Sequence, residues 1–295
     1  MAHNIFKGLG IALITPFLED GSVDYKSLIR LVEYQLNSGA DFFCILATTG
    51  ETPTLTAEEK QKIKDLIVDL VGGRVPILVG CGGNNTAAIV NELQTGDFRG
   101  VDGILSVCPY YNKPSQEGLY QHFKAIAAAT QLPVVLYNVP GRTGVNMTAA
   151  TSVRLAYDCP NIVAIKEASG NLEQVDEIIK NSPRDFEVLS GDDALTFPMV
   201  SCGAVGAISV IGNALPREFS KMIRLQMRGE YDGARKIHHR FQDLFSLLFV
   251  DGNPAGVKCM LSEMGYIQNI LRLPLVPTRI STLQRMSEIM KELKI

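Results

Sequence analysis

A lysine that directly follows a short apolar run is the residue of this sequence best suited to covalent chemistry. Lys166 comes after Ile162–Ile165, in which every residue is apolar. If that run is a buried strand, the Lys166 amine lies in partly desolvated surroundings, and burial disfavours the charged form of an amine. A neutral amine can attack a carbonyl carbon and form a Schiff base. The alternative is a lysine that extends into solvent or pairs with a structural carboxylate.

A tyrosine ends the preceding apolar run and is predicted to lie beside this lysine. Tyr137 follows Pro133–Leu136. Neighbouring parallel strands are about 4.8 Å apart, so a phenol on one strand can reach an amine on the next. A tyrosine hydroxyl can pass protons while it stays neutral. Tyr137 is therefore a candidate for proton transfer, and its alternative role is that of a core aromatic residue with a satisfied hydroxyl.

Two threonines and one arginine could bind a carboxylate. Thr48 and Thr49 precede Gly50, and their hydroxyl and backbone N–H groups are suited to hold a carboxylate. Arg142 follows a Pro-Gly pair, and a guanidinium at the mouth of a site can bind a carboxylate through two hydrogen bonds. A plain turn is the alternative for the threonines, and a solvated surface position is the alternative for Arg142.

The elements that must position these residues form a repeating pattern. Eight nearly all-apolar runs are each followed by a polar or glycine-rich break and then a helix-like stretch, as in parallel strands buried on both faces. Their starts are separated by roughly 20 to 35 residues, the size of a strand–helix unit. The runs are Gly10–Ile14, Phe42–Leu46, Pro76–Val79, Gly103–Val107, Pro133–Leu136, Ile162–Ile165, Glu187–Leu189 and Val205–Ser209.

Eight such units predict a (β/α)8 barrel. Thr56–Glu59 has the pattern of a capping box, and Gly72 is predicted to end the helix that it begins. An open doubly wound sheet is the alternative, but Gly80–Asn85 lacks the third glycine of a dinucleotide-binding loop. We assign residues 1–230 to the barrel. Residues 231–295 have no further strand run and are expected to form a helical C-terminal segment with no chemistry of its own.

Active sites of such barrels lie at the carboxyl ends of the strands. Under this fold, Lys166, Tyr137, Arg142 and the threonine pair all follow or end strands and converge on one face.

Composition excludes several classes of protein. In 295 residues, 46% are hydrophobic and 20% are charged, which supports an extensive core. The net charge of -3 argues against a nucleic-acid partner, because such proteins normally have a basic excess. No apolar run is long enough to cross a membrane. The residues from Met1 to Asn4 do not begin a signal peptide, so we expect a cytoplasmic protein.

The cysteines and histidines point away from disulfides and metals. The six cysteines include no Cys-x-x-Cys pair, which predicts reduced thiols. The four histidines and the cysteines show no metal-ligand spacing, so no zinc site is expected.

Taken together, these residues resemble the dihydrodipicolinate synthase family, a group of pyruvate-dependent class I aldolase-type lyases. The resemblance covers nearly the whole chain. It rests on Thr48–Glu51, Pro109–Pro114, Tyr137–Gly144 and Ile165–Asn171, with support from Ser190–Asp193 and Gly206–Val210.

The resemblance implies condensation of pyruvate with L-aspartate 4-semialdehyde in lysine and diaminopimelate biosynthesis, without a metal or an organic cofactor. Lys166 would form an imine with pyruvate. Thr49 and the backbone of Ile208 would hold the pyruvate, and Arg142 would bind the carboxylate of the semialdehyde. Tyr137 would transfer protons in a relay with Thr48 and Tyr111.

The resemblance also implies a homo-oligomer and a regulatory site. The tyrosine at the position of Tyr111 enters the site of a neighbouring subunit in this family, which implies at least a dimer and usually a tetramer built as a dimer of dimers. Many members are inhibited by lysine through ligands that include a histidine and a glutamate. The corresponding positions are Lys60 and Ala88, although Asn84 and Tyr110 fit, so we expect weak or absent inhibition.

The sequence leaves three other functions possible. Another Schiff-base aldolase, such as an N-acetylneuraminate lyase or a keto-sugar-acid aldolase, would share the lysine, the tyrosine and the threonine loop. Arg142 and Tyr111 favour the semialdehyde enzyme. A catalytically silent barrel that binds ligands is disfavoured by the intact Lys166, Tyr137 and Thr49. A metal-dependent lyase is disfavoured because no ligand set is apparent.

Overall fold

The computed structural model describes residues 5–295, and its centre is a closed barrel of eight parallel strands. Each strand pairs with the next along the chain, and the last pairs with the first. The predicted (β/α)8 barrel is confirmed, and the open sheet is wrong because pairing of β8 with β1 closes the ring. The strands are β1 Gly8–Ala12, β2 Phe42–Ile45, β3 Ile77–Gly80, β4 Gly103–Val107, β5 Val134–Asn138, β6 Ile162–Glu167, β7 Glu187–Ser190 and β8 Gly206–Ser209.

Helices follow the strands, and their ends carry the signals expected from the sequence. In α2 the Thr56 hydroxyl accepts a hydrogen bond from the Glu59 N–H, and the Glu59 carboxylate accepts one from the Thr56 N–H. This helix ends at Gly72, which has a φ of 55°. The helices are α1 Tyr25–Asn37, α2 Ala57–Val71, α3 Thr86–Thr95, α4 Gln116–Ala128, α5 Pro140–Thr143, α6 Ala149–Asp158, α7 Leu172–Asn181, α8 Thr196–Cys202, α9 Pro216–Met227, α10 Tyr231–Leu247, α11 Ala255–Glu263 and α12 Ile280–Leu293.

Two strands extend further than their apolar runs. Strand β5 continues to Asn138 and β6 continues to Glu167, so Tyr137 and Lys166 lie within the strands. Apolarity marks burial, whereas a ladder is made by backbone groups and continues through polar residues. Residues inside a paired ladder have a fixed register. The pairing of β5 with β6 therefore fixes the position of Tyr137 relative to Lys166.

The inside of the barrel is filled with side chains. Phe6 and Phe42, at the end where the strands begin, pack edge to face with ring centroids 5.5 Å apart. Leu78, Leu105 and Val135 belong to the same internal cluster and are buried. These packed side chains fill this part of the barrel interior, and the active sites of such barrels lie at the opposite end, where the strands finish.

The C-terminal segment consists of α10, α11 and α12, with α10 packed on α8 and α9 of the barrel. Within residues 5–295, no helix is both long and apolar enough to span a bilayer. The first four residues, on which the expected absence of a signal peptide rested, lie outside the described part of the chain. The six cysteines are free thiols, as predicted.

Candidate active site

Lys166 and Tyr137 are direct partners in the barrel. Strands β5 and β6 pair so that Tyr137 lies opposite Lys166. The Lys166 Nζ atom is 4.2 Å from the centroid of the Tyr137 ring. Both side chains are buried, with exposed fractions of 5% and 6%. The structure therefore places the amine against the face of the phenol, as the strand adjacency predicts.

Within the described part of the chain, no ion pair occupies the Lys166 amine. No carboxylate in residues 5–295 forms a salt bridge with it, so the alternative of a structural ion pair is not supported by the described chain. Gly191, just after β7, provides the space for its side chain. A Cβ atom at Gly191 would come within 3.0 Å of Lys166 Cε and 2.8 Å of Ala168 Cβ. The lysine is buried yet available for reaction.

The carboxylate next to Lys166 is fully engaged on the other side of the strand. Glu167 Oε2 accepts hydrogen bonds from the side-chain amides of Asn138 and Gln174, each at 3.0 Å. Its Oε1 accepts one from the Ser169 N–H at 2.7 Å. These contacts join the ends of β5 and β6 to α7. They therefore fix the backbone that carries Tyr137 and Lys166 without bringing a negative charge to the amine.

Buried thiols are poor competitors as nucleophiles, and burial raises the pKa of Cys81, which lies in the cavity wall. Burial raises the pKa of Cys44 to about 11, although the Lys166 charge acts in the opposite direction. Burial also raises the pKa of Cys108 to about 12. Since the thiolate is the reactive form, these residues are unreactive near neutral pH.

The threonine pair lies in a short 3-10 helix, Thr48–Gly50, after β2. Thr49 is buried, with an exposed fraction of 3%, and Thr48 is exposed. The Thr15 hydroxyl donates to the Gly50 carbonyl oxygen at 2.7 Å. The Asn253 side-chain amide donates to Thr49 Oγ1 at 2.9 Å. Sequence reasoning missed Asn253 because nothing in the local pattern shows that the C-terminal segment returns to this loop.

A second buried lysine supports the same loop. Lys258 forms an ion pair with Glu51, and both side chains are fully buried. Its Nζ also donates to the Ile270 carbonyl oxygen at 2.9 Å. Burial lowers the pKa of Lys258 to about 8, and the Glu51 carboxylate opposes this shift. Because Lys258 is held by two oxygen partners, it is a structural residue and not a competitor of Lys166.

A cavity of about 400 Å³ opens at the carboxyl ends of the strands. Its wall includes Thr48, Tyr137 and Arg142, three of the residues singled out in the sequence. Arg142 is exposed in α5 and has no salt bridge within the described part of the chain, so its guanidinium is free to bind an anion. A larger open groove of about 750 Å³ runs along α2, but it is not at the strand ends.

Tyr111 lies at the rim and points away from the protein. Its side chain is 89% exposed, and its φ is 73°, in the left-handed region that is strained for a tyrosine. Its N–H donates to the Thr143 carbonyl oxygen at 3.3 Å, which ties this loop to the one that carries Arg142. The structure of one chain therefore does not bring Tyr111 to Tyr137.

The loop before Tyr111 contacts the loop after β3, because the Asn84 side-chain amide donates to the Tyr110 carbonyl oxygen at 3.2 Å.

Ile208 completes the set on the last strand. It lies in β8, is buried, and belongs to the cluster inside the barrel together with Tyr137. The turn after β8 is held by Asp193, whose carboxylate accepts hydrogen bonds from the N–H groups of Val210 and Ile211 at 3.0 and 2.7 Å. The sequence alone assigned no role to Asp193, although Ser190–Asp193 supports the family resemblance. The structure shows that it anchors the strand end that carries Ile208.

The pKa of Asp193 predicts how the free energy of unfolding depends on pH. Burial raises its pKa from 3.8 to about 6, opposed by the hydrogen bonds that the carboxylate accepts. Between these two pKa values, the folded protein binds more protons than the unfolded chain. The free energy of unfolding should therefore fall as pH rises from about 4 to about 6, by up to roughly 3 kcal/mol.

The Asp193→Asn variant should lose this part of the pH dependence. Urea unfolding at several pH values would measure it, with the exposed Asp185→Asn as the matched control. The expected result is that Asp185→Asn keeps the wild-type slope and Asp193→Asn does not. Identical slopes in all three proteins would contradict the assignment.

Comparison with known proteins agrees with this site. The chain matches the model of the dihydrodipicolinate synthetase family over residues 5–293. A 4-hydroxy-tetrahydrodipicolinate synthase from Phocaeicola vulgatus is 65% identical over 295 residues, which cover 100% of this chain and 99% of the relative. The solved structure of a dihydrodipicolinate synthase from Thermotoga maritima is 40% identical, with a TM-score of 0.96 and 99% of each chain covered. A solved structure described as a monomeric dihydrodipicolinate synthase variant is also 40% identical, with a TM-score of 0.96, and covers 98% of this chain and 97% of its own. The chain belongs to the dihydrodipicolinate synthetase family.

Proposed function

We propose that the chain condenses pyruvate with L-aspartate 4-semialdehyde to give 4-hydroxy-tetrahydrodipicolinate, a step of lysine and diaminopimelate biosynthesis, in the cytoplasm. The observation that carries this proposal is the buried Lys166 amine, which lies against the Tyr137 ring and pairs with no carboxylate of residues 5–295. The family and the 65% identical relative support the substrates.

The first half of the reaction uses Lys166 as a nucleophile. Its amine adds to the C2 carbonyl of pyruvate, and loss of water gives an imine. Thr49 and the backbone of Ile208 hold the pyruvate in this position. The imine withdraws electrons, so a proton leaves C3 and an enamine forms. The C3 carbon of the enamine then bonds to the aldehyde carbon of the second substrate, whose oxygen takes up a proton.

The second half releases the enzyme. The amino group of the bound semialdehyde attacks the imine carbon, the ring closes, and the Lys166 amine leaves. Tyr137 donates and accepts the protons of these steps, because its phenol adjoins the reacting nitrogen. Thr48 lines the same cavity. It connects Tyr137 to solvent through the Tyr111 side chain of a neighbouring copy.

The relay requires a second subunit in this proposal. Tyr111 is exposed and points away from its own cavity, so a neighbouring copy would receive it and complete its relay. We therefore propose a homo-oligomer, at least a dimer and most simply a dimer of dimers. A fully active monomer in sedimentation and activity measurements at the same concentrations would refute the shared relay.

The competing reaction is that of another Schiff-base aldolase. It uses the same lysine and tyrosine, but a different aldehyde. The exposed Arg142 at the cavity wall favours an acceptor with its own carboxylate, as aspartate semialdehyde has. Pyruvate turnover measured with aspartate semialdehyde and, in parallel, with N-acetylmannosamine tests the choice. Turnover with the sugar alone would overturn the proposed function.

Replacing Arg142 by alanine should mainly weaken handling of the second substrate. A hydrogen-bonded charge pair is worth about 1.5–3 kcal/mol, so KM for the semialdehyde should rise about 10-fold to 100-fold. The KM for pyruvate should change little. Steady-state kinetics with each substrate varied would measure both, with Arg228→Ala as the control because Arg228 is exposed and pairs with Glu230. Unchanged semialdehyde kinetics in Arg142→Ala would remove Arg142 from this role.

A further inference from the structure

One of the contacts between the C-terminal segment and the threonine loop is a side-chain amide on Thr49 itself. Asn253 Nδ2 donates to Thr49 Oγ1 at 2.9 Å, across 204 positions of the chain. Both residues are buried, with exposed fractions of 6% for Asn253 and 3% for Thr49. Asn253 lies between α10 and α11, in the segment that the sequence had suggested to be free of chemistry.

The direction of this hydrogen bond constrains the threonine. An amide nitrogen can only donate, so the Thr49 oxygen must accept. The single proton of the Thr49 hydroxyl then points elsewhere, and within residues 5–295 this hydroxyl donates no hydrogen bond. A buried hydroxyl donor without an acceptor is suited to bind a carboxylate, which only accepts when ionised.

Asn253 is not explained by the stability of the fold alone. Its Oδ1 atom is buried and has no hydrogen-bond partner in the described chain. Leaving a buried carbonyl oxygen unpaired is destabilising. An apolar residue would avoid that cost, so the amide is better explained by what its nitrogen does for Thr49.

The same segment holds the loop in place independently of Asn253. Lys258 pairs with Glu51, two residues after Thr49, and the Arg272 N–H donates to Glu51 Oε2 at 3.1 Å. The backbone of the loop is thus fixed by the ion pair. The amide of Asn253 is left to set the direction of one hydroxyl.

We infer that Asn253 is a positioning residue that turns the Thr49 hydroxyl proton toward the carboxylate of the bound keto acid. This inference rests on the proposed function, in which Thr49 holds pyruvate. It assigns to the C-terminal segment a part in pyruvate binding that goes beyond support of the barrel.

A double-mutant cycle tests this inference and separates it from the proposed function. Thr49→Val should raise the KM for pyruvate about 10-fold or more, since it removes a hydrogen bond to a charged group. Asn253→Ala should raise the same KM about 3-fold to 10-fold, while kcat and the KM for the semialdehyde change less than about 2-fold. In the double variant, Asn253→Ala should add nothing to the effect of Thr49→Val.

The double-mutant cycle tests the role of Thr49 and the role of Asn253 separately. If Thr49→Val leaves the KM for pyruvate unchanged, the proposed role of Thr49 fails, and the inference fails with it. If Thr49→Val raises that KM but Asn253→Ala has no effect, or an additive effect, the inference fails and the proposed function stands.

The nearly isosteric Asn253→Asp variant tests the direction of the hydrogen bond. A carboxylate would accept the Thr49 proton and repel the pyruvate carboxylate, so the KM for pyruvate should exceed that of Asn253→Ala. A purely structural role predicts instead that Asp and Ala raise it equally or that Asp is milder. Thermal unfolding checks that the variant is folded, and if it is not, the alanine cycle decides the question.

Discussion

Replacing Lys166 by alanine is expected to lower kcat by about 10³-fold or more, a loss comparable to the removal of a nucleophile from other covalent enzymes. The reason is that the other buried lysine described at this end of the barrel, Lys258, is committed to Glu51 and cannot replace the Lys166 amine. The fold should persist, since no ion pair within residues 5–295 depends on Lys166. The coupled assay with both substrates measures the loss, and circular dichroism measures the fold.

Two variants serve as controls for this experiment. Lys166→Arg keeps the positive charge but lacks a nucleophilic amine, so it should be as inactive as the alanine variant. Lys180→Ala removes an exposed lysine of α7 and should keep wild-type activity. Turnover by Lys166→Arg above a tenth of the wild-type value would mean that charge, and not covalent chemistry, is what the position supplies.

Replacing Tyr137 by phenylalanine is expected to lower kcat by about 10²-fold to 10⁴-fold, the range found for general acid–base groups. The ring that lies 4.2 Å from Lys166 Nζ remains in this variant, so packing around the amine is preserved. Only the proton donor and acceptor is lost. Imine formation with pyruvate should slow as well, because loss of water from the carbinolamine needs a proton.

The matched control is Tyr157→Phe, which removes a hydroxyl from a tyrosine that is 62% exposed. It should behave as the wild type. Stopped-flow measurement of imine formation, together with the steady-state assay, separates the two halves of the reaction. A Tyr137→Phe variant with normal kcat would exclude the phenol from proton transfer.

The pairing of Lys166 with Tyr137 could be predicted because it depends on local features. Each residue follows an apolar run, and consecutive strands in a barrel are neighbours, so the ends of the two strands were expected side by side. The N-cap at Thr56 and the helix end at Gly72 also depend on residues that are close in sequence. Strand ends were less predictable, since β5 and β6 continue through polar residues that apolarity does not mark.

Contacts between distant polar residues could not be predicted from one sequence. Asn253 and Thr49 are 204 positions apart, and the amide of Asn253 has no pattern that distinguishes it from a loop residue. Asp193 reaches across a turn to the backbone of Val210 and Ile211, and backbone donors leave no trace in the sequence. The oligomeric state is equally hidden, because a solved structure described as monomeric has the same fold, with a TM-score of 0.96.

Borohydride reduction in the presence of pyruvate tests most directly whether Lys166 is the nucleophile. Reduction would convert an imine into a stable secondary amine, and mass mapping of the peptides would locate it. We predict one pyruvyl adduct per chain, on Lys166, that requires pyruvate and is absent from Lys166→Arg. An adduct on Lys258 or on any other residue, or complete turnover without a trappable adduct, would contradict the mechanism.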